Sequence, residues 1–140
     1  MNELRVSVEQ LNTVLADSKF LRPYDFTVQS CAAGQCVVLL PFKSELERPG
    51  GIVSGMSLMG GADVAMWLAI MTLRGLDEHW VTSDMKTAFL RSAREEGVIC
   101  TAKVLKLGKK TAYGTVECAN GQAQLLTHHV LSFTRVEMSV

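Results

Sequence analysis

Arg48-Pro49-Gly50-Gly51-Ile52-Val53-Ser54-Gly55, running into Met56-Ser57-Leu58-Met59-Gly60-Gly61-Ala62-Asp63-Val64-Ala65-Met66-Trp67-Leu68-Ala69-Ile70-Met71-Thr72-Leu73, is the stretch around which the chain is organised. The first part is rich in turn-forming residues; the second is dominated by Met, Leu and Ala, which favour helix. A helix over 54–73 is about 30 Å long at 1.5 Å per residue. Its apolar residues fall on every side, so the pattern predicts a helix buried all round. One charge interrupts it, Asp63.

A carboxylate among Met59, Val64, Met66 and Trp67 loses hydration unless something pairs with it or uses it. Asp63 is therefore the first candidate for chemistry. The structural alternative puts it on a polar stripe with Ser57 and Gly60, bonded to a neighbouring strand. Ser54 and Asp63 are nine residues apart, which sets them on opposite sides of a helix and about 13 Å apart along it. One subunit cannot bring both to one site. The helix start, with free N–H groups and the positive end of the dipole, suits an anionic oxygen. A symmetric dimer can bring that start to Asp63 of the second copy.

With 140 residues, 48% hydrophobic and 20% charged, the composition fits one globular domain over 1–140. Fourteen basic and fourteen acidic residues cancel, which removes the general electrostatic case for nucleic acid or an anionic membrane as partner. Met1-Asn2-Glu3-Leu4-Arg5 lacks the layout of a signal peptide, which points to the cytoplasm. The run 56–73 reaches the lower length limit of a membrane span, but the paired glycines and Asp63 indicate a core helix. Cys31, Cys36, Cys100 and Cys118 form no CxxC pair and read as packing residues. His79, His128 and His129 show no metal-site spacing, so neither metal nor cofactor is expected. No G-x-S-x-G elbow, P-loop or dinucleotide fingerprint occurs.

Ser7-Val8-Glu9-Gln10 has the capping-box form and opens a short amphipathic helix over 8–17. Strands follow over 26–32 and 36–42, the second apolar on both faces and so expected to be central. After the long helix come strands over 80–89, 98–107, 111–119 and 123–136, read as a four-strand meander with a hairpin at Asn120-Gly121. In the first of these, Val81, Met85 and Phe89 are expected on one face and Thr82, Asp84 and Lys86 on the other. The fold class is therefore α+β: a six-stranded antiparallel sheet wrapped around one long central helix, with a short N-terminal helix.

These residues resemble the hotdog fold, and within it the phenylacetyl-CoA thioesterase-like branch of acyl-CoA thioesterases. In that branch a loop of the form N-x-x-G-x-x-H-G-G opens the central helix, with an acidic residue nine positions after the His. Here Ser54 stands for the His, Met56 for the second Gly and Arg48 for the Asn, while Asp63 holds the acidic position. A subgroup with Arg-Pro-Gly-Gly-x-Val-Ser-Gly at this point is similar to the chain. Val81-Thr82-Ser83-Asp84-Met85, Phe89-Leu90-Arg91 and Leu105-Lys106-Leu107-Gly108-Lys109-Lys110 extend the likeness over nearly the whole chain.

The resemblance implies hydrolysis of an acyl-CoA thioester to free acid and coenzyme A. Asp63 would act as base or nucleophile, the Gly55 N–H with the helix dipole as oxyanion donor, and Thr82 in placing the water. It also implies a homodimer with composite sites, assembled further into a homotetramer. Ser54 belongs to the loop at the site, though it reads equally well as the helix N-cap. Thr82 reads equally well as an ordinary strand threonine. Among Arg91, Arg94, Lys103, Lys106, Lys109 and Lys110 are candidate ligands for phosphates, the alternative being a solvated hairpin. Arg48 at the site mouth could pair with Asp63 or with an acidic acyl group. Met56, Met59, Met66 and Trp67 suggest a pocket for a medium-chain or aromatic acyl group, or else core packing. Two rival functions remain: a non-catalytic acyl-CoA or small-ligand binding protein, motivated by the absent loop His, and a hotdog dehydratase or hydratase.

Overall fold

A computed structural model describes residues 3–138. Helix α1 (Val8–Asp17) is followed by strands β1 (Thr27–Ala32) and β2 (Gln35–Leu40), then by a two-residue ladder of β3 (Glu47–Arg48) with β4 (Ile52–Val53). Helix α2 (Gly55–Arg74) comes next, and then β5 (His79–Phe89), β6 (Val98–Leu107), β7 (Thr111–Ala119) and β8 (Leu125–Val136). Six strands form one sheet in the order β1-β2-β6-β7-β8-β5, antiparallel throughout. The sheet curls around α2, as the sequence predicts.

Both helix starts are written in local chemistry. The Ser7 hydroxyl accepts from the Gln10 N–H while the Gln10 side chain accepts from the Ser7 N–H, closing the capping box. Ser54 caps α2, its hydroxyl oxygen 3.1 Å from the Ser57 nitrogen. On the sheet side α2 presents small residues and packs close. A Cβ added to Gly61 would lie 2.8 Å from the Cys100 sulfur, so this glycine permits the helix to reach the sheet. The stretch Gly55–Arg74, with hydropathy 1.5, is long and apolar enough to cross a membrane. Yet most of it is buried inside the protein, and α2 is the core helix of the domain.

Four expectations need correction. α2 is not buried all round: Met56 is 80% exposed, and Met59, Gly60, Asp63 and Trp67 are only partly covered. These residues follow one another at helical spacing, so they form a single stripe that the sheet does not reach. The second half of the chain is not a four-strand meander, because β5 pairs with β8 at the far edge and only β6, β7 and β8 run consecutively. Within β5, a register shift between Thr82 and Asp84 inverts the alternation. Trp80 and Thr82 thus share the helix-facing side with Met85 and Thr87, while Val81 is left outside. The β7–β8 connection is also longer than a two-residue turn: the Asn120 carboxamide oxygen accepts from the N–H groups of both Gln122 and Gln124.

The two edges of the sheet differ. At β1 a bulge lies between Val28 and Ser30, and Asn12 of α1 clamps the Val28 backbone, accepting from its N–H at 2.8 Å and donating to its carbonyl. That edge is covered by a helix. β5 at the opposite edge is 11 residues long and carries Val81 and Phe89, 48% and 57% exposed.

Candidate active site

Asp63 sits midway along the uncovered stripe of α2, and Thr82 on β5 faces it because of the bulge that follows. The Thr82 hydroxyl donates to Asp63 Oδ1. Burial pushes the Asp63 carboxyl above the usual carboxylate range, with the Thr82 hydrogen bond pulling the other way. Desolvation is the larger effect, so the apolar setting makes this carboxylate a stronger base than a surface aspartate.

Beside Asp63 opens a groove of about 780 Å³. Val64, Trp67 and Met71 of α2 form one wall, Phe20 after α1 another, and Trp80 of β5 closes the side. The sequence pointed to Trp67 but missed Phe20 and Trp80. Phe20 lies in a single 3-10 turn (Lys19–Leu21) too short to show a periodic pattern, and the position of Trp80 beside the groove depends on the bulged β5.

A second hollow, of about 520 Å³, lies at the start of α2 and is lined by Arg48, Ile52, Gly55, Phe89, Leu90 and Arg91, among others. The loop before it turns through Gly50 and Gly51 at φ of 104° and 75°, a region that residues with a Cβ rarely adopt. Arg94 Nη1 donates to the Gly50 carbonyl at 3.4 Å and ties the loop to the segment after β5. The Gly55 N–H has no hydrogen-bond partner among the described residues, as expected of a first helical residue. A Cβ at Gly55 would stand 3.0 Å from the Phe89 ring, so the ring comes this close to the helix start only because the residue is glycine.

The structure therefore joins Asp63 with Thr82 and Trp67, and joins Gly55 with Arg48 and Arg91. It does not join the two groups in one chain: Gly55 and Asp63 are about 12 Å apart along the helix. Ser54 has its hydroxyl engaged at the helix start, 3.1 Å from the Ser57 nitrogen and 2.9 Å from the Ser57 hydroxyl. Met56 projects into open space and Met59 is partly covered on the same stripe, whereas Met66 is buried under the sheet at 1% exposure. Lys109 and Lys110 lie at the opposite end of α2, where the Gly108 carbonyl accepts from Arg74. Within one subunit they are remote from Gly55. His129 is wholly buried, held by the hydroxyls of Thr87 at 2.8 Å and Thr127 at 2.7 Å. It is a satisfied core histidine.

A six-stranded antiparallel sheet curled around one long helix, with a short helix before it, is the hotdog fold of the thioesterase class. The chain belongs to the thioesterase superfamily, whose profile matches residues 50–127. It is 32% identical over 117 residues to a protein of Thermoplasma acidophilum named as an esterase, which covers 84% of this chain and 88% of the relative. A similarly named protein of Saccharolobus solfataricus is 29% identical over 107 residues, 76% of this chain and 74% of the relative. Among solved structures, zebrafish thioesterase superfamily member 2 superposes with a TM-score of 0.81 at 26% identity, covering 92% of this chain and 98% of that one. The E. coli PaaI protein of the phenylacetic acid degradation operon shares the fold, with a TM-score of 0.80 at 19% identity over 95% of this chain and 99% of that one.

Proposed function

We propose that the protein is an acyl-CoA thioesterase of the phenylacetyl-CoA thioesterase-like branch, in the subgroup carrying Arg48-Pro49-Gly50-Gly51-Ile52-Val53-Ser54-Gly55 as its loop. It works as a homodimer with composite sites, assembled further into a homotetramer. The observation that carries the reading is a divided site: a desolvated base on the uncovered stripe of α2, and an unpartnered Gly55 N–H at the start of the same helix. Pairing of two β5 edges joins the halves. A two-fold axis crossing β5 near Met85 sets Thr82 opposite the strand end that bears the partner's Phe89, against which the partner's Gly55 packs. Long uncovered edge strands invite this kind of pairing.

In the joined site the thioester carbonyl lies between Asp63 and the partner's Gly55. As general base, Asp63 takes a proton from water while the water oxygen bonds to the carbonyl carbon, and the developing oxyanion accepts from the Gly55 N–H. Collapse breaks the C–S bond, and the thiolate of coenzyme A leaves and takes up a proton, so acid and thiol are the products. As nucleophile, Asp63 would instead bond to the carbonyl carbon and expel the thiolate, leaving an anhydride that water cleaves. Thr82 fixes the carboxylate orientation in either route. Arg48 and Arg91, flanking Gly55, are suited to the phosphates of coenzyme A.

A second reading, an acyl-CoA binding protein without turnover, is favoured by Ser54: its hydroxyl is engaged in capping and supplies no group equivalent to an imidazole. The test is thiol release from a panel of acyl-CoAs, with the oligomeric state followed by sedimentation. Turnover lost in Asp63→Asn supports the hydrolase. Binding without turnover in the native protein supports the second reading, and a monomer that turns over normally overturns the composite site.

A further inference from the structure

We infer that the groove beside Asp63 receives the uncharged, apolar acyl part of the thioester. We further infer that Phe20 and Trp67 set a preference for medium-length or aryl chains over acetyl and over chains ending in a carboxylate. The inference rests on the thioesterase reading and deepens it, by assigning the two hollows to the two ends of the substrate.

Charge decides the assignment. Among the described residues, the hollow at Gly55 is flanked by Arg48 and Arg91 and includes no carboxylate, whereas the groove is lined by Asp17, Asp63 and Glu78, with His79 beside them, and by no lysine or arginine. The anionic coenzyme therefore belongs to the first and an uncharged group to the second. Arginines near the groove are already committed: Glu78 accepts from Arg74 at 3.2 Å, and Arg135 lies 3.4 Å from the same carboxylate. The Trp80 indole also donates to Glu78, at 3.0 Å. A carboxylate at the far end of an acyl chain would thus meet like charge and, among the described residues, no free lysine or arginine. Arg48, which the sequence left open as a partner for an acidic acyl group, lines the other hollow.

Shape decides the length. Asp63 and Met71 both line the groove, and the eight helical steps from one to the other span about 12 Å. An acetyl group leaves most of that length empty. Phe20 is 68% exposed, yet its ring sits 6.4 Å from the Trp67 ring at 50°. An aromatic residue held over a groove in this way gains burial when the groove fills, and each methylene that enters adds to the affinity.

The experiment compares kcat/KM for acetyl-, hexanoyl-, octanoyl-, phenylacetyl- and adipoyl-CoA in the native protein and in Phe20→Ala. In parallel it compares binding of the non-hydrolysable thioethers S-ethyl- and S-octyl-CoA by calorimetry. Octanoyl- and phenylacetyl-CoA are expected to exceed acetyl-CoA by about 100-fold or more, and hexanoyl-CoA to exceed adipoyl-CoA by about as much. Phe20→Ala should cut the octanoyl-to-acetyl ratio about tenfold; being exposed, Phe20 can be truncated without touching the core. Equal rates across the panel, or adipoyl-CoA turned over as fast as hexanoyl-CoA, overturn the inference and leave the thioesterase standing. Absence of turnover with S-octyl-CoA still bound more tightly than S-ethyl-CoA overturns hydrolysis and upholds the groove assignment. Equal or absent binding of the two thioethers without turnover overturns both.

Discussion

On the sheet-facing side of α2, Ala62, Ala65, Leu68 and Ala69 are wholly buried, whereas on the opposite side Met56 is 80% exposed and Gly60, Asp63 and Trp67 are partly covered. Both sides are rich in apolar and small residues. The first side uses them to bring helix and sheet into contact, as Gly61 does under Cys100. The second is covered only in part by its own chain, with Thr82 against Asp63 and Phe20 beside Trp67, and Asp63 puts a charge on it. The side that is finished within the monomer supplies stability, and the side that is unfinished holds the chemistry. Burial that is incomplete, around a carboxylate whose affinity for protons is raised, marks the place where a second subunit and a substrate belong.

The largest expected effect comes from removing that charge. Asp63→Asn should lower kcat by about 10²–10⁴-fold, the usual contribution of a general base, or more if Asp63 is the nucleophile. It should also stabilise the fold at neutral pH. Because the folded carboxyl has its pKa raised by desolvation, its favourable contribution is full below the unfolded pKa and is lost as pH rises through the folded one. The stability gap between Asp63→Asn and the native protein should therefore widen from acid to neutral pH in urea titrations. A gap that stays constant across that range would show that Asp63 is not desolvated in the folded protein.

The adjacent glycines sharpen the comparison, since Gly60 and Gly61, about 100° apart around the helix, meet different surroundings. A Cβ at Gly60 meets nothing within 4 Å, while one at Gly61 meets the Cys100 sulfur at 2.8 Å. Gly60→Glu should leave each subunit folded but place a charge on the face assigned to the partner, shifting the sedimenting species to monomer and lowering activity about 10²-fold. Gly61→Ala should do the reverse, costing about 1–3 kcal/mol in chemical denaturation through overpacking without dissociating the dimer. If Gly60→Glu remained dimeric and active, the partner would have to dock elsewhere.

Much of this was legible before any coordinates. The capping box at Ser7, the Gly-rich loop and the near-continuous apolar run announce the helices, and period-two patterns announce the strands, because these signals depend on neighbours a few residues apart. Asp63 stood out for the same reason, as one charge in an apolar segment. The coverage of α2 was misread because a helix apolar on all sides gives the same sequence signature whether a sheet or a second chain covers the last side. Thr82 turns to Asp63 at the site, but its expected companions Asp84 and Lys86 do not, because a single bulge inverts the alternation, and nothing in Val81-Thr82-Ser83-Asp84 signals it. Lys109 and Lys110 were grouped with Arg91 on charge alone, and the length of α2 separates them.

The smallest effect tests that bulge. With the shift between Thr82 and Asp84, the Thr82 hydroxyl reaches Asp63; without it the two would lie on opposite sides of the strand. The hydrogen bond holds down a carboxyl that burial would raise further. Thr82→Val removes the donor while keeping the shape, so kcat/KM should fall about tenfold, the worth of one hydrogen bond to a charged group. The acid limb of the pH profile should move to higher pH, because Asp63 then stays protonated over a wider range. Thr82→Ser should restore both the rate and the limb, which a purely structural role in β5 would not require, since serine is the poorer strand residue. A valine variant with lowered rate but an unmoved acid limb would mean that Thr82 positions something other than the carboxylate.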